Sequence, residues 1–279
     1  MSASASLAFK TSKLSHKVFR NVVHLRHLRA ASTNFGFEKV SSEEKGQKVK
    51  TVFANVASKY DLMNDAMSFG IHRLWKDYFV QRLNLNKDAQ VVDVAGGTGD
   101  IAFRVLGALR KMPAGNGTVT LVDINEDMID VGKVRAEEDH SIDQNRLKWV
   151  CADAETLPFP DDSFDLYTIA FGLEIVLMSA RCWMKRFDHV DPLLKPFYDL
   201  YSFQLIPVMG QILAGDYNSY KYLVESIRVF PDQEAFAQMI KEAGFKNVTY
   251  ENLSFGCWEL RNSTSSGIAP LQPQSLFVK

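Results

Sequence analysis

Asp93, Asp123 and Asp153, with a run of glycines beside the first of them, equip this chain to hold a charged small molecule. Asp93 sits in Val91-Val92-Asp93-Val94, directly before Ala95-Gly96-Gly97-Thr98-Gly99-Asp100. Two valines before the acid and one after make the short apolar run of a buried parallel strand. The glycines let the backbone turn tightly and bring its N–H groups close to a ligand. Ile101 to Leu106 resumes at helical spacing, so the turn joins a strand to a helix N-terminus. Free amides and the helix dipole then favour a nucleotide-like group. Asp123 ends a second β-rich run, Thr118–Asp123, 24 residues beyond Gly99 (123 − 99), where doubly wound folds place an acid on the ribose. It also suits a cap for the helix that follows. Asp153, with Ala154 after it, follows a third run that begins at Leu147.

Two cofactors compete for such a turn. Gly97-x-Gly99-x-x-Ala102 fits the NAD fingerprint, a weak signal by itself. Asp93, however, gives the spacing D-x-A-x-G-x-G, which resembles the glycine-rich loop of class I S-adenosyl-L-methionine (AdoMet) methyltransferases. A carboxylate beside an ammonium and a sulfonium is favourable, whereas beside a pyrophosphate it is costly. The resemblance implies AdoMet held by Asp93, Gly97, Thr98 and Gly99, its ribose by Asp123 and its adenine by Asp153 and Ala154. No metal is implied.

Tyr60-Asp61-Leu62-Met63-Asn64-Asp65-Ala66-Met67-Ser68-Phe69-Gly70-Ile71-His72-Arg73-Leu74-Trp75-Lys76 is more specific. It fills every fixed position of Y-D-x-M-N-x-x-M-S-x-x-x-H-x-x-W-K, and the chain is similar to the ubiquinone/menaquinone biosynthesis C-methyltransferases. Polar groups set among Met, Phe and Trp suit a pocket for a polar aromatic head with an apolar tail. Tyr60, Asn64 and His72 are the expected substrate contacts. A capped helix pair with satisfied polar side chains is the plainer account of the same residues.

The chain is 46% hydrophobic and 23% charged with a net charge of −1, which fits a globular core and points to no nucleic-acid partner. Cys151, Cys182 and Cys257 show neither a disulfide framework nor a zinc spacing. Residues 1–37 carry Lys10, Lys13, Lys17, Arg20, Arg26 and Arg29 and no acid, with apolar residues at helical intervals. That is the composition of a mitochondrial transit peptide, expected to end near Phe35 to Ser42 and to stand outside the fold. A basic arm is the other account of it. One methyltransferase domain is expected over 38–260, followed by a disordered tail over 261–279.

The resemblance breaks after Phe171-Gly172. Relatives continue with Arg-Asn, a long helix, Pro-Gly-Gly and a strand. Here Glu174 and Ile175 stand in place of that pair, no Pro-Gly-Gly follows, and 173–188 is too short for a unit of roughly 30 residues. The expected fold is therefore a Rossmann-like α/β methyltransferase with a mostly parallel sheet and flanking helices, short of one strand–helix unit. An unpaired strand edge is expected there. The resemblance implies C-methylation of a polyprenylated methoxy-benzoquinol in ubiquinone biosynthesis. It places the protein peripherally on the matrix face of the mitochondrial inner membrane, among other ubiquinone-synthesis proteins. With the arginine gone, no general base is assignable from sequence. Two further readings are a structural member of that assembly without turnover, and an NAD(P)-dependent oxidoreductase.

Overall fold

The valine-rich run around Asp93 becomes one of the inner strands of a seven-stranded sheet. The computed structural model describes residues 4–11, 33–154, 156–170, 195–229, 233–242, 246–253 and 258–265. Its strands are β1 (Ser4–Thr11), β2 (Thr33–Phe35), β3 (Glu38–Val40), β4 (Gln90–Val94), β5 (Thr118–Asp123), β6 (Leu147–Cys151), β7 (Leu166–Ala170), β8 (Lys246–Leu253) and β9 (Trp258–Ser265). The large sheet has the order β6-β5-β4-β7-β1-β9-β8. β6, β5, β4 and β7 run parallel, and β8 and β9 close the far side as an antiparallel hairpin. Val91, Val92, Val94, Val119, Leu121 and Val122 are fully buried, as strands covered on both faces require.

Helices connect these strands. They are α1 (Ser42–Val56), α2 (Tyr60–Ser68), α3 (Ile71–Arg82), α4 (Asp100–Arg110), α5 (Glu126–Glu138), α6 (Lys195–Leu200), α7 (Ile206–Ala214), α8 (Tyr217–Val229) and α9 (Gln233–Glu242). Ser41 caps α1 by accepting from the Glu44 N–H, and Asn125 caps α5 by accepting from Asp127 and Met128. Phe69 and Gly70 both take positive φ, 51° and 75°, which reverses the chain between α2 and α3. Trp75, Phe79 and Val80 of α3 pack with Val105, Leu106 and Leu109 of α4 against the sheet. Full burial of side chains this size is worth about 2 kcal/mol each. α6 and α7 are joined by a π turn over Tyr201–Leu205, with Pro207 in the first turn of α7.

Three expectations change. The edge beside β7 is not left open, because β1 pairs with it antiparallel and with β9 parallel, so Ser4–Thr11 lies inside the sheet. Thr33–Phe35 likewise pairs with β3, and Phe35 stacks on Tyr222 of α8 at 3.9 Å between ring centroids. The expected tail also begins later than residue 261, since β9 runs through Ser265. Its polar residues are recruited by the ladders of β8 and β1. Residues 171–194, including Glu174 and Ile175, lie outside the described residues, as does the tail from 266.

Candidate active site

The three acids stand where three adjacent parallel strands end. Asp93 is next to last in β4, Asp123 is last in β5, and Asp153 lies two residues beyond β6. This carboxyl edge is where open α/β sheets bind their ligands. Ala95, Gly97 and Gly99 take φ of 52°, 55° and 88°, which coils the turn tightly. A Cβ on Gly96 would lie 2.6 Å from Leu121 Cγ, and one on Gly99 would lie 2.8 Å from the Phe103 ring. Only glycine fits either place.

Asp93 is 1% exposed, and its Oδ1 accepts a 2.7 Å hydrogen bond from Thr168 Oγ1 on β7. Its Oδ2 has no hydrogen-bond partner among the described residues, although it is fully buried beside Gly96. Burial pushes this carboxyl up to about 7, the charges of Asp123 and Asp100 add to the shift, and the Thr168 bond opposes it. A buried acid with an idle oxygen fits a cationic ligand, whose charge would draw off the proton. Asp123 accepts from Gly97 N–H on one oxygen and from Asn125 N–H on the other, both at 2.8 Å. It thus ties the glycine turn to the cap of α5, and each oxygen keeps a second lone pair for a hydroxyl. Asp153 is exposed and Ala154 partly buried, in a turn closed by Thr156 N–H donating to the Asp153 carbonyl. The residues present fit AdoMet. Asp93 would face its cationic end, Gly97, Thr98 and Gly99 would form the cradle, Asp123 would hold the ribose, and Asp153 with Ala154 would hold the base, as the resemblance implies.

The tentative substrate residues come together elsewhere, under α8. Tyr60, Asn64 and His72 line one cavity with Met63, Met67 and Trp75, and Tyr220, Leu223 and Ser226 form the opposite wall. Three buried polar atoms in this lining, His72 Nδ1, Tyr220 Oη and Ser226 Oγ, have no partner among the described residues. Such atoms are rare in a packed interior and mark a place for a polar ligand. His72 Nε2 lies 2.9 Å from Asp65 Oδ1, and Arg73 grips the same carboxylate with two bonds of 2.6–2.7 Å. The Arg73 bonds hold Asp65 well below the usual carboxylate range. Burial, then the charge of Lys76, lowers His72. Asp65 is therefore ionised and His72 neutral, so Nε2–H donates to Asp65 and Nδ1 is left with a bare lone pair.

A charged strut joins the two regions. Arg135 of α5 donates to Thr98 Oγ1 at 2.8 Å and pairs with Asp61 of α2 at 2.8 Å, with its guanidinium over the Phe103 ring. Lys76 of α3, itself buried, pairs with Asp100 at the start of α4, as does Arg104. Burial alone would raise Asp100, but these cations outweigh it and hold the carboxyl low.

Known sequences place this chain in a family. The model of the ubiE/COQ5 methyltransferase family matches residues 40–190 and 180–264. The chain belongs to that family. It is accordingly an AdoMet-dependent methyltransferase fold, and the NAD reading of the glycine fingerprint is set aside. The two matched pieces overlap at 180–190, at the end of the stretch 173–188 read above as departing from the family pattern. The chain is 53% identical over 238 residues to the mitochondrial 2-methoxy-6-polyprenyl-1,4-benzoquinol methylase of Caenorhabditis elegans, covering 80% of this chain and 82% of that one. It is 47% identical to the proteins of that name from Mus musculus and Homo sapiens, in each case over 82% of this chain and 83% of the relative. Sequence reasoning missed Asp65, Arg135, Thr168, Tyr220 and Ser226 as site residues. Asp65 lay within the family signature and was passed over as a variable position. The other four carry no local signal, because their roles come from contacts across 37 residues or more.

Proposed function

We propose that this protein transfers a methyl group from AdoMet to a ring carbon of 2-methoxy-6-polyprenyl-1,4-benzoquinol in ubiquinone biosynthesis. The relatives' names support the substrate, and one observation carries it on this chain. The cavity under α8 is walled by methionines and aromatic rings yet holds three polar atoms with no partner among the described residues. That composition suits a quinol head on an apolar tail. Bound AdoMet supplies an electrophilic methyl. The chain must make the ring carbon nucleophilic, which requires deprotonation of a ring hydroxyl. His72 is the group suited to it, with Nδ1 bare and the imidazolium that forms held by Asp65. Tyr60 and Asn64 orient the ring oxygens, and the apolar walls keep water from the phenolate.

The test is methyl transfer from labelled AdoMet to a short-chain quinol, with AdoMet binding followed by calorimetry. We expect turnover in the full chain and AdoMet binding unchanged in His72→Gln. That variant should lose about 10²–10⁴-fold in kcat. Asp65→Asn should lose less and move the acidic limb of the pH–rate profile. Full turnover in His72→Gln removes it as the base. AdoMet binding without any turnover in the unaltered chain would favour the second reading, a structural member of the ubiquinone-synthesis assembly. Glu174, standing where relatives carry arginine, speaks for that reading.

We place the protein in the mitochondrion, directed by the basic stretch 1–37, on the matrix face of the inner membrane beside other ubiquinone-synthesis proteins. Among the described residues no helix is long and apolar enough to cross a membrane. An exposed apolar surface supports peripheral attachment. Phe197 is 72% and Ile212 75% exposed, Leu205 and Val208 recur at helical spacing with Ile212, and the exposed Phe69 lies against Tyr201.

A further inference from the structure

The two halves of the large sheet meet only through β1 among the described strands. β7 pairs with β4 on one edge and β9 pairs with β8 on one edge, and β1 fills the space between the remaining two. Its register runs from Ser6 opposite Ala170 to Lys10 opposite Leu166 on the β7 side. On the other side all eight residues pair, from Ser4 opposite Trp258 to Thr11 opposite Ser265. Without this strand the sheet would divide into a four-stranded parallel part and an isolated hairpin, each with a bare row of backbone N–H and C=O groups. Such edges invite another strand, and a two-stranded hairpin is marginal alone. The 21 residues between Thr11 and Thr33 allow β1 ample reach. Its sequence, Ser-Ala-Ser-Leu-Ala-Phe-Lys-Thr, contains no acid, proline or glycine, and these residue types all tolerate extended backbone.

We propose that the space between β7 and β9 is a strand-binding groove, occupied in the full chain by its own segment Ser4–Thr11 acting as a donor strand. The ligand class is an extended peptide running antiparallel to β7, recognised by main-chain hydrogen bonds on both edges. Processing that removes residues 1–37 would vacate the groove, so the leader and the last inner strand of the sheet are one piece of chain.

Disulfide trapping in the full chain tests the register, with Cys151, Cys182 and Cys257 changed to serine. Ser6→Cys with Ala170→Cys should cross-link on mild oxidation, and Lys10→Cys with Ala170→Cys, four residues out of register, should not. A register pair that forms no faster than this control overturns the proposal. A second measurement uses a protease site placed within residues 12–32 of the full chain. After cutting, the released segment should stay bound on gel filtration. Excess synthetic Ser4–Thr11 peptide should displace it, and the same peptide with Leu7→Pro should not. Leu7→Pro in the uncut chain should lower Tm by about 5–10 °C, and Lys13→Pro, outside the strand, should change it little. A segment that departs on cutting with no change in Tm also overturns the proposal.

Discussion

Asp93 sets the pH behaviour of the cofactor end. Its carboxyl is pushed up to about 7 from an ordinary 3.8 because it is fully buried. Between those values the folded chain keeps a proton that the unfolded chain has lost. The stability this gives is complete below about pH 4 and disappears as pH rises through about 7. A cationic ligand reverses the preference, since it favours the charged form. We therefore expect AdoMet to bind more tightly at pH 8 than at pH 6, with proton release, and the ligand-free protein to lose Tm over the same interval. Asp93→Asn should flatten both profiles and weaken binding about tenfold or more. Calorimetry in buffers of different ionisation enthalpy reads the protons directly. An unchanged pH dependence in Asp93→Asn would assign it to another group. Asp65 and Asp100 have the opposite sign, being held low by cations, so their contribution fades only as pH falls below the ordinary carboxylate range.

The elements around the turn act as spacers. Gly132 on α5 lets Trp149 of β6 lie against the helix, and a Cβ there would come within 2.8 Å of that indole and 3.1 Å of the Thr98 carbonyl. Gly132→Ala should therefore push the glycine turn out of place. Its cost is about 1–3 kcal/mol in stability, as for other overpacked sites, with a loss of AdoMet affinity. Thermal melts with and without AdoMet check this, and the shift produced by the ligand should shrink. An unaltered ligand shift would mean that α5 does not hold the turn. Arg135 works at the same level, since it spans Thr98 in the cofactor turn and Asp61 in the signature helix. The signature is thus a helix pair that forms one wall of the cavity through Tyr60, Asn64 and His72 and reaches the cofactor turn through Asp61 and Lys76. Its residues were legible through their resemblance to a family signature. The partners were not, because they come from α5, α4 and α8.

At the scale of the whole molecule, the apolar surface of α6 and α7 and the donor strand lie on segments that adjoin the aberrant stretch or precede the domain. Vesicle flotation tests the first. The full chain should float with bilayers, and Phe197→Ser with Ile212→Ser should reduce the bound fraction severalfold while leaving AdoMet binding intact. Equal flotation of both proteins would place the membrane contact elsewhere.

The glycine turn and the strands ending near Asp93 and Asp123 were readable from residue order alone, because they depend on backbone preferences within a few neighbouring residues, whereas the signature and the role of Asp153 were read from resemblance to a known family. The shortage of chain after Gly172 was readable too. What filled the sheet in consequence was not. Pairing between Ser6 and Ala170 is decided by which edges stand vacant once every other strand is placed, and no short window of sequence records that. Asp93 gives the same lesson in small. Its position was plain from the sequence, but its nearly neutral state follows from burial among Leu121, Thr168 and Gly96, which only the assembled sheet supplies.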